Sequence, residues 1–336
     1  MNYHVEKLNE ANSNDWDNFN NNHVDGSIFH ELRWKNVLEG INGNVAQYHL
    51  VYSGNQVVAI CPFFISHLKG FKGLQVLPSS EYNYILIDKD HMNQDLLKTI
   101  IKNGQDLMKK NHLSFYQINI KDQTMQNLIR DYTTLKPYIS ANMILDLNKY
   151  PPNILWNDVF NAKSGQRKYI NRYKKEDVDL YISNSNDDIE LFYNSYKSTN
   201  EYKNRKGFKI EHFKKIAKLY KNNENQIFFL KKCDDVLGSL YTILWRNEIM
   251  IFRYLSINRK LQSNYPITYP LFWNAVVFAN EHGIRKINFG MTPLNVNDAT
   301  YRIKYNFGCQ LEKYYCNVFS NSKLFSFSYS FYLNNY

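Results

Sequence analysis

The chain has 336 residues, of which 44% are hydrophobic, 21% charged and 16% aromatic. This is the balance of a folded protein of about two domains, and so many aromatics exclude global disorder. Lys and Arg (41) outnumber Asp and Glu (31), for a formal charge of +10. That charge suits anionic partners such as nucleic acid, anionic lipid or phosphorylated small molecules, without choosing among them.

In chain order, the pattern predicts a helix over Phe29–Ile41 and a hairpin of strands Tyr48–Tyr52 and Gln56–Ile65, turning at Ser53-Gly54-Asn55. A helix over Gln94–Lys110 and a strand over Leu113–Asn119 follow. Tyr150-Pro151-Pro152 then punctuates the chain, because proline donates no hydrogen bond and disfavours helix in the residue before it. Beyond it the order repeats. A helix over Phe213–Tyr220 precedes strands Gln226–Lys232, Val236–Trp245 and Glu248–Ser256, with Cys233-Asp234-Asp235 as the first turn. A helix over Pro270–His282 and a strand over Ile284–Phe289 close the repeat. Val57-Val58-Ala59 of the first half lies on Val236-Leu237-Gly238 of the second.

The expected fold class is therefore α+β, with two tandem units of mostly antiparallel sheet and packed helices. The expected domains are residues 1–150 and 151–320. In the tail, 321–336, the apolar Leu324, Phe325, Phe327, Tyr329, Phe331 and Tyr332 read as a strand folding back on the first domain.

Several classes find no support. Met1 to Asn22 has no apolar core of a signal peptide, and the apolar stretches fall short of the roughly 18 residues a spanning helix needs. The expectation is a cytoplasmic protein with no integral membrane segment. Cys61, Cys233, Cys309 and Cys316 form no C-x-x-C pair, and the nine His show no metal spacing. Buried free thiols and no metal site are expected. Neither G-x-x-x-x-G-K-[ST] nor G-x-G-x-x-G occurs.

Three segments can carry chemistry. Lys163–Lys175 reads as a basic helix, with Arg167, Lys168, Arg172, Lys174 and Lys175 around a stripe of Tyr169, Ile170 and Tyr173. Tyr196–Phe208 reads as a polar loop carrying Arg205. Ile287–Pro293 reads as a strand ending at Gly290, followed by Arg302 and Lys304, two apart. On a strand those two cations share a face, a pairing suited to a diphosphate or carboxylate. A solvated helix face, a plain surface loop and a charge-guarded strand edge explain the same segments on composition alone.

Taken in order, several stretches resemble a known group. They are Phe29 to Trp34, Val57-Val58-Ala59-Ile60-Cys61-Pro62, Arg167 to Lys175, Thr199 with Arg205 and Gly207, Asn288-Phe289-Gly290, and Arg302 to Gly308. The chain resembles the Fem-type peptidoglycan bridge aminoacyltransferases, and equally the Fem-related acetyltransferase-like proteins of the GNAT superfamily. The resemblance covers nearly the whole chain. It implies two tandem GNAT-like domains and direct acyl transfer to an amine, with no covalent enzyme intermediate and no permanently bound cofactor. The co-substrate it implies is aminoacyl-tRNA in one branch and acyl-CoA in the other. Its implied partners are a phosphorylated cell-envelope precursor, tRNA in the first branch, and peripheral contact with a membrane.

The chain departs from the family at three points. Asn288 stands where the family has Asp, and neither a coiled-coil arm nor the pyrophosphate loop of conventional GNAT enzymes is present in the sequence. The expected function is an acyltransferase acting on an amine of such a precursor. Lys304, Arg302, Arg205 and Arg167 are expected to bind anions, and Tyr254 and Tyr301 are candidates for orienting the acyl carbonyl. The competing expectation is a non-enzymatic RNA-binding protein that uses the same basic and aromatic segments.

Overall fold

The computed structural model describes residues 2–160, 165–175, 177–183, 185, 187–221, 223–259 and 267–334. The chain divides into two units, Met1–Ser140 with Lys313–Tyr336, and Ala141–Glu312. The elements are, first, β1 (Tyr3–Lys7), α1 (Ser13–Asn22), α2 (Leu32–Leu38), β2 (Val45–Ser53), β3 (Gln56–Leu68) and β4 (Phe71–Val76). Next come β5 (Leu86–Ile87), α3 (Gln94–Lys110), β6 (Phe115–Ile120), α4 (Gln123–Ile129), β7 (Tyr138–Asp146), α5 (Pro152–Ile154) and α6 (Gln166–Lys175). Then follow β8 (Asp179–Ser183), α7 (Asp187–Tyr202), α8 (Ile210–Leu219), β9 (Asn225–Lys232), β10 (Asp235–Trp245) and β11 (Ile249–Ile257). The last are α9 (Thr268–Glu281), β12 (Lys286–Met291), α10 (Ala299–Tyr305), β13 (Gln310–Phe319) and α11 (Lys323–Asn334).

In the first unit the strands lie in the order β1-β2-β3-β4-β6-β13, antiparallel throughout except β4 with β6. In the second the order is β8-β9-β10-β11-β12-β7, antiparallel except β11 with β12. A parallel pair needs a long crossover, and α3 and α9 supply it at matching places. The two units are thus the same fold, built twice.

α3 shows why the local pattern could be read. Leu96, Leu97, Ile100, Ile101 and Met108 form one buried stripe, and Asn93 caps the start by accepting from the Leu96 N–H. Gly104 lies on that stripe, where a Cβ would fall 2.2 Å from the Tyr116 ring. The second unit's core gathers Leu240, Leu244, Met250 and Phe252 of the sheet against Leu271, Phe272, Ala275 and Val276 of α9.

Five expectations are corrected. The unit boundary falls between Ser140 and Ala141, not at Pro151, because β7 already pairs with β12 from Asn142 onward. Pro152 opens α5, a position where its missing N–H is not needed. Tyr196–Tyr202 continues α7, so only the residues after Tyr202 form the basic loop. Arg302 and Lys304 lie on a helix, and two residues apart there means nearly opposite faces. The tail is also a helix: Ser322 Oγ accepts from the Phe325 N–H, a cap the alternating aromatics concealed. Finally, Cys61, Cys309 and Cys316 are buried, but Cys233 is exposed in its turn.

Candidate functional site

In the second unit, β11 and β12 pair only over Ile249–Ile251 and Lys286–Asn288, and then part. From Phe252 to Ile257, the edge of β11 that faced β12 has no partner strand among the described residues. In the first unit β4 and β6 also part, after Leu74 and Tyr116. There the unit's own chain fills the gap: the Ile85 N–H donates to Asn119 O (3.1 Å), and Asn119 Nδ2 donates to Asn83 O (2.6 Å). Among the described residues, the open parting therefore belongs to the second unit.

A bulge lies on the open stretch. Tyr241 pairs with Tyr254 and Thr242 with Phe252, which leaves Arg253 as the extra residue of β11. The extra residue reverses the alternation of faces. Phe252 joins the α9 side, with its ring 5.2 Å from Phe272, while Tyr254 turns to the other side. There Tyr254 packs against Phe213 (5.0 Å), Tyr196 (5.8 Å) and Tyr241 (6.1 Å), and the Arg253 guanidinium lies 4.6 Å from its ring.

The Tyr254 hydroxyl meets Nε2 of His212, on α8, at 2.6 Å. Burial pushes the His212 pKa down to about 3, with the charges of Arg253 and Lys215 adding to it, so the imidazole is neutral near pH 7. Its Nδ1 is buried with no partner among the described residues. Polar contacts fix α7 beside this pair. Ser195, Ser256 and Ser239 form a hydroxyl chain (2.7 and 2.6 Å), and Thr199 Oγ1 accepts from the Ile257 N–H at 2.9 Å. Reading the sequence missed His212. Its signal was a histidine on the same stripe as Phe213, Ile216 and Ala217 of α8.

Arg205 belongs to a cationic group at the end of β11. The Lys203 pKa is lowered by burial first, then by the charges of Arg205 and Arg259. Three cations held this close attract a phosphate. Arg167 and Arg302 lie elsewhere in the unit. Arg167 donates to Asn157 O (2.9 Å) beside Trp156. Two residues on, Tyr169 stacks on Tyr269 of α9 (5.5 Å), whose pKa Arg302 pulls down against the effect of burial. Tyr301 stacks on Tyr305 (5.9 Å) and is far from neither solvent nor core, being half-buried against the latter.

Lys304 is not the outward anion ligand expected of it. Asp298 caps α10 by accepting from Thr300 and Tyr301, and this sets a helical register that turns Lys304 inward. Its buried Nζ donates to the carbonyls of Met291 (2.7 Å) and Gly290 (3.1 Å), tying α10 to the end of β12. Asn288 serves the same turn, with Oδ1 accepting from the Gly290 N–H at 2.7 Å. Asn288 is fully buried, and its Nδ2 has no partner among the described residues. Lys304→Met is expected to lower unfolding free energy by about 1.5–3 kcal/mol, since it removes charge-assisted bonds to buried carbonyls. Denaturant unfolding checks this, and parent-like stability would show that those bonds carry no weight.

No protein-family model matches the chain, and no curated protein matches it in sequence. Solved structures do match. FemX superposes with a TM-score of 0.64 at 13% identity, covering 92% of this chain and 96% of its own. A tandem GNAT protein from the clavulanic acid biosynthesis pathway gives 0.63 at 8% identity, covering 96% and 100%. L-PGS from Bacillus licheniformis gives 0.57 at 14%, covering 87% and 93%. With two units of one strand order, each with a single parallel pair that parts, the chain shares the fold of FemX and of the tandem GNAT protein.

Proposed function

We propose that this protein is an N-acyltransferase that moves an acyl group from a phosphate-bearing donor to an amine of a phosphorylated cell-envelope precursor. The observation that carries the reading is the parted β11–β12 pair, open in the second unit, with Tyr254 and His212 beside it. A carbonyl laid along the unpartnered edge of β11 meets backbone N–H groups, which stabilise the oxyanion formed as the amine attacks. The amine loses a proton and the leaving thiolate or alkoxide gains one. The Tyr254 hydroxyl, held in place by neutral His212, is suited to give a proton to the leaving group, and the amine's proton goes to solvent. Lys203, Arg205 and Arg259 are assigned to the donor's phosphates, and Arg167 and Arg302 to those of the acceptor. Tyr301 is assigned no chemical step.

Acyl-CoA and aminoacyl-tRNA both fit this description, one as a thioester and the other as an ester, each carrying phosphates. The fold shared with FemX, the tandem GNAT protein and L-PGS supports the acyl-transfer class. One observation favours the second reading, an RNA-binding protein: Tyr305 is 61% exposed and stacked on Tyr301, with exposed Arg302 between them in sequence, which makes a platform for a base.

Incubation with labelled acetyl-CoA and with charged tRNAs, each with an amine acceptor, tests the proposal. The expected result is transfer from one donor, which also raises the melting temperature. Lys203→Ala and Arg205→Ala are each expected to raise KM for that donor about tenfold, because one exposed charge–phosphate contact is lost. Binding to RNA of any sequence with a steep salt dependence, and no transfer from either donor, would favour the second reading.

A further inference from the structure

α11 carries large apolar residues on two different sides. Phe325 and Tyr329, four apart, are buried in the first unit. Phe325 stacks on Phe115 (4.4 Å) and meets Phe71 edge-on (5.3 Å), and the Tyr329 hydroxyl donates to Lys136 O (3.2 Å). Leu324, Phe327 and Phe331, spaced three and four apart, form a second stripe that is 67%, 74% and 67% exposed. Single exposed apolar residues are ordinary, but three in line on one short helix mark an interaction face.

The segments that seat this helix are basic. The segments packed against α11 are 66–76, which holds the β3–β4 turn, the start of β6 at Phe115, and 133–140. They carry Lys69, Lys72 and Lys136, and Lys323 opens the helix; all four are exposed. Neither these segments nor 319–334 contain an Asp or Glu.

We infer that this face docks on an anionic lipid surface. The Leu324, Phe327 and Phe331 side chains enter the boundary between headgroups and acyl chains, and the four lysines meet the lipid phosphates. Among the described residues no helix is long and apolar enough to cross a membrane. α11, about 18 Å long at 1.5 Å per residue, lies in the plane of the surface instead. A second copy of the chain is the poorer occupant, because a two-fold interface would bring the same lysines face to face. The inference does not depend on the proposed acyl transfer, since the stripe and its lysines all belong to the first unit.

Co-sedimentation of the full chain with vesicles tests it. The protein is expected to bind vesicles of phosphatidylcholine mixed with phosphatidylglycerol and not vesicles of phosphatidylcholine alone. Leu324→Ser, Phe327→Ser and Phe331→Ser combined are expected to reduce that binding about tenfold or more while the melting temperature holds, because these side chains are exposed. Lys69→Ala, Lys72→Ala and Lys136→Ala are each expected to cost about fivefold, and added salt to weaken what remains. Absence of binding to the mixed vesicles, or undiminished binding by the triple serine variant, would overturn the inference. So would a dimer, seen by analytical ultracentrifugation, that the serine variant dissolves while the parent ignores vesicles.

Discussion

Tyr254→Phe is expected to lower kcat about 100-fold for whichever donor supports transfer, with KM for that donor little changed. Positioned acid–base groups typically contribute 10²–10⁴-fold, and the substitution removes only the hydroxyl that meets His212 at 2.6 Å. The aromatic contacts with Phe213, Tyr196 and Tyr241 persist in the variant. The fold pays a smaller penalty, because His212 Nε2 loses its partner in a buried site, a loss of about 1–3 kcal/mol. His212→Gln is expected to reduce kcat similarly. The double variant should be no slower than the slower single one, since groups that act as one unit are not additive. Steady-state kinetics on the three variants, alongside their unfolding curves, makes the check. A folded Tyr254→Phe protein with the parent's kcat would remove the pair from the chemistry.

Acid is expected to weaken the fold steeply. Burial lowers the pKa of His30 and His49 to about 4 and that of His212 to about 3. At His30 the hydrogen bonds fix the neutral form. Nε2–H donates to Tyr84 O, so the Ser27 hydroxyl donates to Nδ1, and protonating Nδ1 would break that bond. In the unfolded chain all three rings protonate near pH 6.5. The unfolded state therefore binds up to three more protons at pH 5, and stability falls by up to about 4 kcal/mol per pH unit there. The contribution is complete above pH 6.5 and is lost as the pH drops toward 4. Asp17 acts in the opposite sense, since burial raises its pKa, but it is one half-buried group against three. Urea midpoints at pH 7 and pH 5 measure the effect, and equal midpoints would refute it.

The duplication and the long helices were determined by the sequence itself. Their signals are local: a turn at Ser53-Gly54-Asn55 echoed at Cys233-Asp234-Asp235, and on α3 an i, i+4 stripe behind the Asn93 cap. Such patterns act over a few residues, so they survive without knowledge of the partner. The cationic group at the end of β11 was half visible, through Arg205, but Arg259 joins it only when β11 brings residues from different parts of the chain together.

Tertiary structure decided the rest. β7 and β13 are strands because β12 and β6 are there to pair with them, across separations in sequence that no local window spans. α10 and α11 have patterns that suit a strand equally well. Asp298, Ser322 and the seat of Phe325 on Phe115 settle them as helices, and in α10 that turns Lys304 from a surface cation into a buried tie. The Tyr254–His212 pair was beyond the sequence for a similar reason. The two residues lie 42 apart, and the bulge at Arg253 places Tyr254 on the face opposite the one plain alternation assigns it. One extra residue in one strand shifts every later side chain to the other face, and only the pairing with β10 reveals where that residue sits.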